Sequence, residues 1–358
     1  MIGTQIAPIA RSIIEERLKI KPGESLCIVT DAQSSPVITQ ALASAAQCVG
    51  AETVIAVMMP RNTEAAVEPP EMVKAAMMAA NVIINQTASS FGHTAFMREI
   101  QHKGGRALVM PNTTEDLLLN GAAGADFNEL KEITLRALEV VDNGKHVRII
   151  TEEGTDVSFS IEGRKAIRLY SEVSEPGRSG AFPDGEAATA PVEATGEEVI
   201  VNPYAIDFEN IKVDMGYIRE PFKLEVRKGF VAQASGGSEA MCFKEILERY
   251  DRLARNLGEY AITTNPKARP AVAIREAKKA WGLALWVSAR TEAWGRHQDR
   301  LPPRYHLPPP YGHRGRPRGG EGREAADLNW PDILGIQFHQ SSRLLPLSLW
   351  AYAQRKGT

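Results

Sequence analysis

The sequence predicts a two-domain protein: an α/β N-terminal domain, with a parallel sheet flanked by helices, then an α+β, mainly β C-terminal domain. Over residues 1–144, short apolar runs alternate with segments of helical periodicity, which is typical of a parallel sheet covered on both faces. From residue 145 onward apolar residues recur at every second position, which is typical of half-buried strands. We therefore expect domains at 1–144 and 145–282, followed by an irregular tail at 283–358.

The first domain has the sequence signals of alternating helices and strands. Pro70 stands where proline favours the first turn of a helix. No Gly-x-Gly-x-x-Gly sequence follows the first strand, so dinucleotide binding has no support. The pattern predicts helices at 9–18, 36–49, from 70, around 96–100 and at 129–141, and strands at 25–30, 53–59, 81–85 and 106–110.

The second domain begins where the apolar period changes from that of a helix to that of a strand. Glycine-containing turns separate or end the strands. A helix over 240–257 is expected to lead directly into the last strand. The predicted strands lie at 146–151, 156–161, 223–227 and 260–263.

Composition narrows the classes of function. Hydrophobic residues make up 43% and charged residues 24%, the profile of a globular protein, and a formal charge of −2 gives no reason to expect a nucleic-acid partner. The start lacks a signal-peptide pattern, and no apolar run reaches membrane-spanning length. We therefore expect a cytoplasmic protein with no membrane partner.

Two glutamates stand at special backbone positions. Glu186 follows the turn Pro183–Gly185, in which proline presets φ and glycine accepts a positive φ. Glu259 follows Leu257 and Gly258 where we expect a helix to meet a strand. Carboxylates held in this way bind metals or transfer protons. Taken alone, each position is more typical of a surface residue, a turn for Glu186 and a helix end for Glu259. Asp184 and Glu239 are weaker candidates of the same kind.

Three short motifs resemble the aminopeptidase T / aminopeptidase S family of metallo-aminopeptidases. They are Gly-x-Phe-Pro-x-Gly-Glu-x-x-x-Ala-Pro over 180–191, Leu-Gly-Glu over 257–259 and Thr-Asn-Pro over 264–266. The resemblance implies a peptide substrate, a homodimer and two divalent ions in the C-terminal domain, zinc or cobalt, with manganese or iron as options. It also implies Glu186 and Glu259 as metal ligands, and it identifies no catalytic residue.

Two other functions remain open beside the aminopeptidase. A relative of the same fold is a mononuclear iron dioxygenase that opens the ring of 2,5-dihydroxypyridine. That relative lacks the first glutamate, so the presence of both Glu186 and Glu259 favours the aminopeptidase. The second alternative is a non-catalytic α/β binding protein that holds no metal.

The chain departs from the family pattern after Gly282. The expected histidine and His-Leu-Asp ligands are missing, all five tryptophans lie after residue 280, and Arg, Pro, Gly and His dominate 295–324. Neighbouring reading frames across this region permit the missing motifs in family order, which suggests a frameshift; a genuine Arg/Pro-rich tail is the alternative. We expect residues after 283 to pack poorly and activity to be impaired. Sequencing the gene across codons 280–330 decides between the two.

Overall fold

A computed structural model describes most of the chain up to residue 269 and short segments beyond it. The described residues form one parallel sheet and one mainly antiparallel sheet, each covered by helices, which confirms the predicted fold class. No helix among them is long and apolar enough to cross a membrane. The described ranges are 2–61, 68–92, 94–151, 153–200, 218–248, 252–269, 276, 279, 282–288, 305–307 and 336–337.

The parallel sheet has the strand order β2-β1-β3-β4-β8. Its last strand comes from beyond residue 145, so the C-terminal half of the chain completes the N-terminal sheet. The register places Leu108 beside Gly180 in this pairing. The strands are β1 (Ser25–Asp31), β2 (Glu52–Met58), β3 (Val82–Gln86), β4 (Arg106–Val109) and β8 (Ser179–Ala181).

Most helices begin at a side-chain cap. Ser35, Thr94, Thr114 and Asp126 each accept a hydrogen bond from a backbone N–H in the first turn, which satisfies a donor that the helix leaves unpaired. The helices are α1 (Ile2–Ser12, extended by a π-helical turn at Ile13–Arg17), α2 (Pro36–Cys48), α3 (Glu71–Ala79), α4 (Ala95–His102), α5 (Glu115–Asn120), α6 (Phe127–Asn143) and α7 (Ser238–Glu248).

The second sheet is built mainly from antiparallel pairs, with β9 lying between β7 and β13. Its strands are β5 (His146–Ile150), β6 (Asp156–Ser160), β7 (Ile167–Leu169), β9 (Glu186–Thr189), β10 (Val192–Ile200), β11 (Phe222–Arg227), β12 (Phe230–Ser235), β13 (Asn256–Thr263), β14 (Gly282–Ser288), β15 (Tyr305–Leu307) and β16 (Ile336–Gln337).

Two element boundaries differ from the prediction by more than five residues. The first helix begins at Ile2 instead of residue 9, and Ile6 and Ala10 are buried on its inner face. The helix expected over 240–257 ends at Glu248, and a 3₁₀ turn precedes β13. The reason is sheet pairing: Asn256 lies opposite Phe230 of β12 and already belongs to β13.

Apolar side chains form separate cores on the two faces of the parallel sheet and a third beneath the second sheet. The third core fills the space between the sheet and helices α6 and α7, with Phe159 and Tyr260 in edge-to-face contact at a centroid distance of 5.2 Å. The first core includes Val173 and Phe182 from beyond residue 145.

Part of the C-terminal segment has regular structure. β14 pairs with β13 along most of its length, so the expected irregularity does not hold for residues 283–288. The tryptophan side chains that were expected to be exposed lie outside the described residues, as does most of the segment 289–358. The domain boundaries at 144 and 282 stay predictions.

Candidate functional site

The turn before Glu186 is held in place by a buried ion pair. Asp184 accepts a hydrogen bond from Nε of Arg17 at 2.9 Å, and these side chains are 1% and 2% exposed. Its other carboxylate oxygen accepts from the backbone N–H and the hydroxyl of Ser171. The Arg17 guanidinium also lies over the rings of Phe127 and Phe182. These contacts make Asp184 an anchor for the turn.

Gly185 is required by the shape of this turn. Its φ of 118° lies in the range that favours glycine, and an added Cβ would lie 3.0 Å from the backbone nitrogen of Asn265. Its N–H donates to the Leu169 carbonyl at 3.1 Å, and its carbonyl accepts from the N–H of Thr264 at 2.9 Å. The turn therefore inserts between β7 and β13, and Glu186 becomes the first residue of β9.

Asn265 connects the turn to the N-terminal domain. Its side-chain amide donates to the carbonyl of Ala122 at 3.0 Å and to the carbonyl of Asp184 at 3.1 Å. Its backbone N–H donates to the carbonyl of Lys279 at 3.1 Å. The Thr-Asn-Pro motif therefore has a structural role, which its position in the sequence did not reveal.

Glu186 and Glu259 lie on the same face of the second sheet. The register sets Glu186 opposite Thr263 and Ala188 opposite Ala261, and directly opposed residues share a face. Glu259 precedes Ala261 by two residues and so shares that face. Glu259 and Thr263 are four positions apart, about 13 Å along an extended strand. Both glutamates are buried, with 0% and 1% of their surface exposed.

A bulge at Gly258 sets the direction of Glu259. The register between β13 and β14 shifts between Leu257 and Glu259. Leu257 and Tyr260 both belong to the hydrophobic core, so Glu259 between them faces the other side. The helix-to-strand junction expected here was wrong, since Glu259 lies inside β13 beside a bulge.

Lys279 forms a buried ion pair with Glu186. Its ammonium nitrogen lies 2.7 Å from Oε2 of Glu186, and Lys279 is 2% exposed. The backbone N–H of Lys279 donates to the carbonyl of Glu276 at 2.9 Å. Glu276 is itself buried and binds Arg269 with both carboxylate oxygens. Sequence analysis missed Lys279, which lies far from Glu186 in the chain and belongs to no motif.

The weaker candidate Glu239 has a different environment. It lies in the first turn of α7, where it accepts from the backbone N–H of Arg219 at 3.1 Å and from the hydroxyl of Ser238. Hydrogen bonds from its own backbone N–H, from the Ser238 hydroxyl and from the Arg219 N–H lower the pKa of its carboxyl. This position fits stabilisation of the helix N-terminus by a negative charge.

Comparison with known proteins assigns the family. The family model of NicX, 2,5-dihydroxypyridine 5,6-dioxygenase, matches residues 12–269, which include the parallel sheet, β5 to β13 and both glutamates. The chain belongs to this family. A curated member, the 2,5-dihydroxypyridine 5,6-dioxygenase of Pseudomonas putida, is 25% identical over 162 residues. That alignment spans 44% of this chain and 43% of the relative's length.

Solved structures show how widely the fold of the dioxygenase family is shared. The 2,5-dihydroxypyridine dioxygenase of Pseudomonas putida superposes with a TM-score of 0.69 at 19% identity, over 86% of this chain and 92% of that one. AmpT from Thermus thermophilus gives a TM-score of 0.56 at 12% identity, over 80% and 86%. At these identities the likeness shows the fold alone.

The expected metallo-aminopeptidase function is wrong. The family that matches is named for a dioxygenase, which is an oxidoreductase and not a hydrolase. The likeness to AmpT supports the aminopeptidase-like fold, so the motifs that suggested a peptidase correctly identified the architecture. They did not identify the chemistry, because one fold carries different active sites.

Membership in the dioxygenase family implies a metal cofactor, which agrees with the divalent metal expected from the sequence. Nothing supports zinc, cobalt or a pair of ions. Within the described part of the chain, no three His, Cys, Asp or Glu side chains converge on one point. Those residues therefore do not fit a complete metal site, and ligation by Glu186 and Glu259 stays a prediction.

Proposed function

We propose that this chain is a ring-cleaving dioxygenase that uses iron and dioxygen to open 2,5-dihydroxypyridine or a closely similar hydroxylated pyridine. The observation that carries the proposal is the family match over residues 12–269. It spans the turn at Gly185, both buried glutamates and the Thr-Asn-Pro segment in one continuous stretch. The fold likeness to a dihydroxypyridine dioxygenase supports it.

Enzymes commonly activate O₂ with a cofactor such as iron, copper or a flavin. Because the family implies a metal cofactor, we propose a single iron ion. Glu259 is the described carboxylate that we propose as one of its ligands. It is buried, and the bulge at Gly258 directs it away from the hydrophobic core.

Turnover of 2,5-dihydroxypyridine tests the proposed reaction. The protein is loaded with Fe²⁺ without oxygen, and O₂ uptake is compared with loss of the pyridine. A dioxygenase consumes one O₂ per ring and retains both oxygen atoms, so ¹⁸O₂ labels the product twice. Leucyl-p-nitroanilide serves as a control and is not hydrolysed. Iron-loaded protein that binds the pyridine without consuming O₂ contradicts the proposal and supports a non-catalytic binding protein.

Glu259→Gln tests the proposed ligand. A lost ligand reduces iron affinity by more than the roughly 10–100-fold that is typical when groups outside the ligand shell are changed. Glu197→Gln is the matched control, because the Glu197 side chain is 59% exposed and pairs with Lys223 on the surface. Equal iron content in both variants would remove Glu259 from the proposed ligand set.

The homodimer expected from the aminopeptidase resemblance stays a prediction. Its test is the mass of the protein in solution, measured by light scattering coupled to gel filtration. A mass of 39.1 kDa corresponds to the single chain.

A further inference from the structure

We propose that Lys279 takes the place of a metal ion at Glu186. In this proposal Glu186 is a positioning residue that holds the Asp184–Glu186 turn against Lys279, and no ion binds to its carboxylate. The inference replaces the metal-ligand role that the sequence predicted for Glu186. The inference depends on the proposed function in one respect only, namely that a metal ion binds elsewhere in the site.

The first argument is charge compensation. A carboxylate removed from water is strongly disfavoured unless a positive charge and hydrogen bonds accompany it. Glu186 is 0% exposed, and the Lys279 ammonium lies 2.7 Å from its Oε2, so an opposite charge is in direct contact with this carboxylate. The positive charge that a metal ion would supply to Glu186 is already present in the chain.

The second argument is mutual exclusion. A divalent ion binds carboxylate oxygens at about 2.0–2.6 Å. An ion bound to Glu186 would therefore lie close to the Lys279 ammonium, inside a buried site where like charges repel strongly. The lysine and a metal ion cannot both occupy this carboxylate at low cost.

The third argument is that the backbone fixes both partners. The carbonyl of Lys279 accepts the N–H of Asn265, and the Asn265 side chain donates to the carbonyl of Asp184, two residues before Glu186. The N–H of Lys279 is bonded to the carbonyl of Glu276. One continuous set of hydrogen bonds thus holds the lysine and the turn together, which is unlike a mobile surface pair.

The fourth argument is spacing. The ions of a metal pair lie about 3.5–4 Å apart, so the carboxylates that bind them must converge. Glu186 pairs with Thr263, and Glu259 lies four residues away from Thr263 along β13. The face between them carries Ala188 and Ala261, which bring no ligand. The Glu186 carboxylate, which Lys279 neutralises, is therefore separated from the Glu259 carboxylate, which remains a candidate metal ligand.

A metal count tests the inference directly. The wild-type chain and the double variant Glu186→Gln/Lys279→Met are each dialysed against Co²⁺, and cobalt per chain is measured by elemental analysis. The double variant removes both charges of this ion pair together. We expect the same cobalt count in both proteins. A count that falls by one ion in the double variant would show that Glu186 binds metal and would overturn the inference.

Thermal unfolding of the two single variants supplies a second readout. Glu186→Gln leaves the Lys279 ammonium without its carboxylate, and Lys279→Met leaves the carboxylate without its ammonium. We expect each single variant to unfold at a lower temperature than both the wild type and the double variant. If the decrease in unfolding temperature of the double variant equals the sum of the decreases in the two single variants, the ion pair is not formed. If a single variant does not fold, the comparison of the double variant with wild type still decides.

These measurements do not depend on turnover, so they separate this inference from the proposed function. A chain that keeps its cobalt count in the double variant but fails to cleave the pyridine would refute the dioxygenase proposal alone. A chain that cleaves the pyridine but loses an ion in the double variant would refute the role of Lys279 alone.

Discussion

Replacing Glu198 with glutamine is expected to stabilise the protein near pH 8 and to have little effect near pH 5. Glu198 lies on β10 directly opposite Leu224 of β11, in the hydrophobic core of the second sheet. It is 1% exposed, and its Oε2 has no hydrogen-bond partner among the described residues. Burial raises the pKa of this carboxyl from 4.5 to about 8.

The size of the effect follows from proton linkage. Between pH 4.5 and about 8 the folded protein retains a proton on Glu198 that the unfolded chain releases. The free energy of unfolding therefore falls as the pH rises through this window and is constant above it. Each pKa unit corresponds to about 1.4 kcal/mol, so the full window costs about 5 kcal/mol. Glutamine stays neutral at every pH and does not incur this cost.

Urea unfolding followed by circular dichroism at about pH 5 and about pH 8.5 measures the difference. Relative to wild type, Glu198→Gln should gain several kcal/mol at the higher pH and almost nothing at the lower one. Glu197→Gln is the control, because the neighbouring side chain is exposed and pairs with Lys223. Parallel stability curves for wild type and Glu198→Gln across this range would refute the argument that Glu198 is buried with its proton.

Three further substitutions test the residues that surround the site, and chemical denaturation measures the stability of each variant. Gly185→Ala should lower the free energy of unfolding by roughly 1–3 kcal/mol, because its φ of 118° and a close neighbour both oppose a side chain. Gly163→Ala is the control and should cost less, because Gly163 has a φ of 74° and open space around it. Equal losses of stability in the two variants would contradict this reasoning. Arg17→Met should cost about 3–5 kcal/mol because it leaves the carboxylate of Asp184 buried without its partner, and a loss below 1 kcal/mol would show that this pair is solvated. Tyr260→Phe should raise stability by about 1 kcal/mol because the Tyr260 hydroxyl is buried with no hydrogen-bond partner within the described structure, and a loss of stability would indicate an unrecognised bond.

The first four strands of the parallel sheet, β1 to β4, could be predicted from the sequence because their apolar runs are continuous. The strand predicted at 25–30 is Ser25–Asp31 in the structure, and that predicted at 106–110 is Arg106–Val109. β7 and β8 could not be predicted. Each has three residues, and what makes it a strand is pairing with residues distant in the chain, which leaves no local pattern.

The candidate site was predictable only in part, and for a related reason. Glu186 and Glu259 were found because each follows a glycine that shapes the backbone. Lys279 and Arg17 were missed because an ion pair between distant residues leaves no trace in either local sequence. The structure adds a lysine beside Glu186, the residue that the sequence predicted as a metal ligand.

The placement of β8 has a consequence for the order in which the chain folds during synthesis. The first core needs Val173 and Phe182, and the edge of β4 stays unpaired until β8 is available. When residue 144 has been made, about 38 residues are still missing, which takes about 2–8 s at typical translation rates. During that interval the nascent N-terminal domain keeps an open sheet edge, a site for wrong pairing. The two halves of this chain should therefore mature together instead of one after the other.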